Sequence, residues 1–225
     1  ASIAIAEGFG TASAIGGTEA LNTITNQVHA TILNADSGLS TSSGNVSVIA
    51  TENATITGEA NTATLGSGVS STAVSGAYLL NTLATATRAS IESGKIISAG
   101  NVDIVASAVV ASNASALGKA SATGSAVAGS LAEIQSTPTV IAMIGPSVDM
   151  DVAGDVNLKA LFNADGSGTS LGKTLIARST GSAGGLVSGT LAGADSIINS
   201  TVIVNASVGD NATIGAKAGV TNSVP

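Results

Sequence analysis

Cysteine and tryptophan are absent from this sequence, and aromatic residues make up only 1% of it. Without cysteine, the chain has no disulfides, no thiol nucleophile and no cysteine-ligated zinc site. The few rings cannot form a row of stacking platforms for single-stranded nucleic acid or for sugars. The formal net charge of −7 also argues against binding to a phosphate backbone.

Charged residues are scarce as well, at 9% of the chain, against about 25% in an ordinary globular protein. Hydrophobic residues nevertheless reach 44%, and most of them are Ala, Val, Ile and Leu beside 28 Gly. Such small residues predict a thin core with closely spaced backbones. The segments 118–130 and 178–193 are expected to be its narrowest parts or, alternatively, surface loops. The uncharged stretch 60–87 is too rich in Gly, Ser and Thr to be a membrane-spanning helix.

Two sequence blocks recur along the chain, which indicates an internal repeat of roughly 55 residues. One block is a glycine, a polar residue and alternating apolar residues: Gly44–Val48, Gly100–Ile104, Gly154–Leu158 and a degenerate copy from Gly219. The other precedes it: Ala30–Ile32, Ala89–Ile91, Ala142–Ile144 and Ala206–Val208. The glycines are interpreted as turn and close-packing residues.

Apolar residues within these blocks have a period of two, which is typical of half-buried β-strands. Val202, Val204, Ala206 and Val208, for example, fall on one face. A helix over 77–93 is the competing interpretation, but the equivalent segments of the other copies are rich in Thr, Val and Ile. Because equivalent repeats share one structure, strands are predicted in all of them.

These observations predict an all-β protein, a parallel β-helix (β-solenoid) that forms a single domain over residues 1–225. The repeats are placed at approximately 1–58, 59–117, 118–167 and 168–225. Since a solenoid coil is about 20 residues long, each repeat is expected to hold two to three coils, which gives about ten in all. At a strand spacing of ~4.8 Å the stack would be a rod of roughly 50 Å.

An amide residue precedes the Ala-x-Ile block at a nearly constant distance in each copy: Asn22, Asn81, Gln135 and Asn199. Two interpretations remain open. In a stack of coils, buried amides at equivalent positions can hydrogen-bond to one another as a ladder. Alternatively, these residues lie at turns, where Asn tolerates a left-handed backbone.

The sequence contains no recognisable catalytic motif, so no enzyme activity, catalytic residue or cofactor is predicted. The single histidine, His29, lies in a strand pattern and is expected to point outward. Asp149, Asp151 and Asp155 are the nearest candidates for a metal site. Strand alternation sets Asp149 and Asp151 on one outward face, which favours a solvated charged surface, and no metal is predicted.

The order of these blocks, with Ala-, Gly- and Ser-rich spacers between them, resembles the repeat regions of very large bacterial exoproteins. These are the filamentous-haemagglutinin-like and leukotoxin-type filamentous adhesins. The resemblance covers essentially the whole chain, and it implies a right-handed parallel β-helix, secretion and a rod displayed at the cell surface. It touches scaffold positions only, so it transfers no binding residue.

The leading hypothesis is therefore a non-enzymatic extracellular structural or adhesive rod, a segment or subunit of a bacterial surface filament. Both chain ends fall inside a repeat, which predicts end-to-end self-association or continuation of a longer chain. A host or cell-surface receptor is left unspecified, and neither nucleic acid binding nor membrane insertion is expected. The alternatives are an ice- or surface-binding β-solenoid module and a polysaccharide-acting β-helix enzyme.

Overall fold

Most of the residues that the structure describes lie in parallel β-strands. The computed structural model describes residues 2–9, 13–98, 100–186 and 189–216. These residues form seventeen β-strands and contain no helix. The strands build four parallel sheets, here called A to D, and the chain visits the sheets in that order again and again. This arrangement is consistent with a parallel β-solenoid.

One passage through the four sheets is a coil, and the strands fall into four coils. The first coil contains β1 (Ser2–Phe9), β2 (Ser13–Ile24), β3 (Gln27–Ile32) and β4 (Ala35–Ser40). The second contains β5 (Val46–Ser67), β6 (Thr72–Leu83), β7 (Ala86–Ile91) and β8 (Gly94–Ser98). The third contains β9 (Val102–Ala122), β10 (Ser125–Ser136), β11 (Thr139–Ile144) and β12 (Asp149–Val152). The fourth contains β13 (Val156–Phe162) and β14 (Leu175–Gly185) in sheet A, then β15 (Thr190–Ser200), β16 (Ile203–Val208) and β17 (Thr213–Ala216).

Each sequence repeat occupies one whole coil. Val46 pairs with Val102, and Val102 pairs with Val156, so residues one repeat apart are direct neighbours. The prediction of two to three coils per repeat, and about ten coils in all, is wrong because it assumed short strands. Sheet A strands instead reach 22 residues. Four coils at ~4.8 Å make the described stack roughly 15–20 Å tall, so it is wider than it is tall.

The recurring blocks lie in register, as the repeat interpretation requires. Ala30, Ala89, Ala142 and Ala206 form one continuous row across sheet C. The segment 77–93 forms parts of β6 and β7, so the strand prediction is confirmed there over the helix alternative. The proposed divisions after 58 and 117 fall inside β5 and β9. The structural repeat therefore starts at other residues than the proposed one, although its length is the same. The degenerate copy at Gly219 lies outside the described residues.

The core is thin between sheets A and B and wider toward sheets C and D. A Cβ atom added to Gly118 would lie 2.3 Å from the carbonyl oxygen of Gly129, and one added to Gly181 equally close to that of Gly193. Segments 118–130 and 178–193 are therefore narrow parts of the core where the structure describes them. Where sheet A turns into sheet B, at the end of β9 and the starts of β6 and β10, the buried apolar residues are all alanine. Toward sheets C and D, Ile, Val and Met fill the space.

One insertion interrupts the fourth coil. β9 is continuous, but β13 pairs with its first part and β14 with its second, and residues 163–174 leave the sheet between them. The side chain of Asn163 bridges the gap: its Oδ1 accepts from the Val110 N–H at 2.7 Å, and its Nδ2 donates to the Val110 carbonyl at 3.0 Å. The Asn163 side chain thus replaces a peptide group where the loop departs, and the inserted residues 163–174 make the last repeat longer than the others.

Candidate functional site

The Gly-Asn/Asp dipeptide of the repeat builds the corner that leads from sheet D to sheet A. Asn45 Oδ1 accepts from the Asn101 N–H at 2.9 Å, and Asn101 Oδ1 accepts from the Asp155 N–H at 2.9 Å. A Cβ on Gly100 would lie 2.3 Å from Asn45 Oδ1, and one on Gly154 would lie 2.1 Å from Asn101 Oδ1. Glycine is thus required because the amide of the preceding coil occupies that space. The sequence block itself indicates this corner, and the close approach agrees with the interpretation of the glycines as turn and close-packing residues.

Two of the predicted amides form a hydrogen-bonded pair inside the core. Asn22 and Asn81 are in register, and Asn22 Nδ2 donates to Asn81 Oδ1 at 2.9 Å. Asn81 is fully buried, and its Nδ2 also donates to Ser112 Oγ and to the carbonyl of Asn113, at 3.0 Å each. Both asparagines lie within strands rather than at turns.

The other two predicted amides lie on the opposite face of sheet B. Gln135 pairs with Asn199, but the register partner of Asn81 is Ile134. A shift of one residue reverses the face of a strand to which a side chain points. Gln135 and Asn199 are exposed, and both donate to Glu133 Oε1, at 2.8 and 3.5 Å. The four amides therefore form two separate pairs, not one ladder.

Two of the three acidic candidates take part in a surface ion-pair cluster. Asp149 and Asp151 are half-buried on the outer side of β12, and Lys95 Nζ lies 2.9 Å from Asp149 Oδ2 and 3.2 Å from Asp151 Oδ2. Hydrogen bonds to Asp149 and then to Asp151 raise the pKa of Lys95. Asp155 is exposed at the next corner. In the ranges that the structure describes, no three His, Asp or Glu residues converge as a metal-binding group.

The outer face of sheet B carries an uninterrupted row of glycines, which sequence reasoning missed. Gly17, Gly76, Gly129 and Gly193 are in register in all four coils, and no atom lies within 4 Å of a Cβ added at any of them. Gly17, Gly76 and Gly129, each with the two residues that follow it, line a shallow furrow of about 580 Å³. Larger side chains would fit at these four positions, so packing within this chain does not explain the glycines.

Polar groups lie beside this glycine row. Tyr78 Oη donates to Glu133 Oε2 at 3.3 Å. Burial raises the pKa of Tyr78, and the negative charge of Glu133 adds to the shift.

His29 is exposed on sheet C, in register with Arg88. Thr23 and Thr82 are aligned on sheet B, but Gln135 and Asn199 continue their row, so threonine does not extend through the stack.

The two ends of the stack expose side chains that are buried in the middle. Val204 is 47% exposed and Val208 is 52% exposed, whereas Val140 and Ile144, their partners one coil below, are fully buried. On the outer face of sheet B, Leu191 and Ile15 mark the two ends and are 65% and 72% exposed. Within the described ranges, no strand pairs with the outer edges of β2, β3 and β4 or of β15, β16 and β17.

No protein-family model, curated protein or solved structure matches this chain. None of the described segments is a helix that could cross a membrane. The features of the chain that bear on function are the repeated rows, the outer faces and the two open ends of the stack.

Proposed function

We propose that this chain is a non-enzymatic structural or adhesive rod, a segment or subunit of a bacterial extracellular filament. One observation carries the proposal: both ends of the stack present unpaired strand edges and apolar residues whose equivalents are buried one coil away. Such edges are templates for further strands, and uncapped repeat arrays tend to associate. Because the described stack has only four coils, a rod would be formed by further coils stacked on its two ends.

The outer surface supports a scaffold role. Side-chain hydrogen bonds join equivalent positions of neighbouring coils, as between Thr31 and Ser90 and between Asn157 and Asp103. The proposal includes right-handed coiling, because connections between parallel strands of one sheet are right-handed in about 98% of cases. Attachment to a receptor belongs to the adhesive form of the proposal.

Immunogold electron microscopy of the bacteria that produce the protein tests this function. We expect gold particles along fibres at the cell surface or on fibres shed into the medium, with pre-immune serum as the control. Labelling confined to the interior of the cell would contradict the proposal. This readout does not depend on how purified copies associate.

A further inference from the structure

We propose that two copies of this chain join head to tail, with the fourth coil of one copy seated on the first coil of the next. β15 then pairs with β2, β16 with β3, and β17 with β4, each as a parallel strand. This inference rests on the proposed filament function and names its interface. The occupant of each open end is a second copy.

The inward rows of sheet C favour this pairing because the two ends present the same residue types. Val28, Thr87, Val140 and Val204 form one row, and Ile32, Ile91, Ile144 and Val208 form another. In a head-to-tail contact Val204 meets Val28, and Val208 meets Ile32. The contact repeats the packing that already joins the third and fourth coils, where Val140 and Ile144 are fully buried.

The outer rows of sheet B match as well. Ile15, Val74, Val127 and Leu191 form an apolar ridge, and Leu21, Leu80, Glu133 and Ile197 form a second row. Leu191 therefore meets Ile15, and Ile197 meets Leu21. Between the two rows Gly193 meets Gly17, so the glycine row continues through the junction. The contact covers part of the surface of Ile15 and Leu191, which are largely exposed in the single chain.

The backbone provides the largest attraction. β15, β16 and β17 contain 11, 6 and 4 residues, and β2, β3 and β4 offer partner strands of similar or greater length. At about one hydrogen bond per paired residue, a parallel ladder adds roughly twenty hydrogen bonds across the junction. Strand addition to an open sheet edge is an established mode of association.

One row opposes the contact. Glu19, Tyr78, Leu131 and Asp195 form the row beside the glycines, so the junction places Asp195 directly opposite Glu19. Like charges at directly opposed strand positions repel. Because both side chains are exposed, added salt screens the repulsion. The junction is therefore expected to strengthen with ionic strength, and a Glu19→Lys substitution converts repulsion into attraction.

Cysteine cross-linking tests the polarity of the contact, because the natural chain has no thiol. Ile15→Cys marks one end and Leu191→Cys marks the other, and Val69→Cys, at a corner residue that is 90% exposed, is the matched control. In register, the two end thiols lie within disulfide range. We expect a mixture of the two end variants to give at least tenfold more covalent dimer on oxidation than either end variant alone or than Ile15→Cys mixed with Val69→Cys.

Sedimentation velocity gives a readout that does not depend on disulfide geometry. We expect the unmodified chain to associate more at high salt, and Glu19→Lys to associate at least tenfold more tightly than the unmodified chain at low salt. Equal cross-linking of Leu191→Cys with itself would overturn the head-to-tail polarity. A monomeric boundary for both proteins at every concentration would overturn the interface, and surface fibres seen by immunogold would then still support the proposed function.

Discussion

The second and third coils have the same architecture as the first and fourth, yet their burial is very different. Ile134 in the third coil is fully buried, whereas Ile198, its register partner in the fourth coil, is 46% exposed. Met150 and Ile214 differ in the same way. Burial in this fold therefore comes from the coils above and below. Stability in such a stack is approximately a sum of coils and of the interfaces between neighbours.

Alanine substitutions at Ile134 and Ile198 should show the largest difference between a middle coil and an end coil. Ile134→Ala leaves a cavity in a closed core, so we expect a loss of about 2–5 kcal/mol in the free energy of unfolding. Ile198→Ala removes a half-exposed side chain, and we expect a loss of roughly 1 kcal/mol in the monomer. Urea denaturation followed by circular dichroism, at concentrations where sedimentation shows a monomer, measures both. Equal losses would break the distinction between middle and end coils.

The amide side chains can be ranked by their burial in the same way, with smaller expected losses in the free energy of unfolding. Asn81→Ala leaves several buried partners without a hydrogen bond, so we expect a loss of about 2–3 kcal/mol. Asn22→Ala, at the end of the same row, is expected to lose about 1 kcal/mol, and exposed Gln135→Ala about 0–0.5 kcal/mol. Thermal and urea unfolding of the three variants give the ranking. A loss at Gln135 as large as that at Asn81 would contradict the separation into two pairs.

Glycine positions separate internal packing from open surface. Gly100→Ala places a Cβ against Asn45 Oδ1 and the Gly44 carbonyl, so we expect a loss of about 1–3 kcal/mol. Gly76→Ala, in the outer glycine row, meets no atom within 4 Å, and we expect a change within about 0.5 kcal/mol. The free energy of unfolding of each variant is the measurement. A loss at Gly100→Ala no larger than that at Gly76→Ala would show that the corner explanation is wrong.

The smallest effect concerns Tyr78, whose hydroxyl titrates on the outer face of the second coil. It is the only tyrosine, so absorbance at 295 nm follows its ionisation directly. We expect a pKa above the ordinary value, and Glu133→Gln should remove only part of the shift because burial is the larger cause. A tyrosine pKa that is raised by folding stabilises the protein below the unfolded pKa. This stability is lost as the pH rises through the folded pKa. An unshifted titration would contradict the placement of Tyr78.

The sequence predicted the strands and the alignment of the repeated blocks, because side-chain alternation and recurring dipeptides report local geometry. Ala30, Ala89, Ala142 and Ala206 are aligned as their spacing indicates. The number of coils was not predictable in this way, because alternation continues unchanged along β5 whether the strand is short or 22 residues long. The amides were misgrouped because Gln135 is one position out of register, and a single residue reverses its face.

The outer glycine row and the Asn163 bridge were missed for a different reason. Each depends on which residues of separate coils come together, and that depends on the register of the strands. Gly17 and Gly76 look like ordinary small residues until β2 and β6 are paired. The last repeat is longer than the others, and only the pairing of β13 and β14 with β9 places the extra residues at 163–174.

The distance between Thr23 and Asn199 tests the central claim most directly, namely that one repeat is one coil. Both residues lie in the outer row that also contains Thr82 and Gln135, so three strand steps separate them, about 14 Å. Spin labels on Thr23→Cys/Asn199→Cys, diluted with an excess of unlabelled protein to suppress contacts between copies, should show strong dipolar broadening in the EPR spectrum. Two to three coils per repeat would place the labels roughly 35 Å apart. A spectrum without broadening, and a pulsed-EPR distance near that value, would contradict the account.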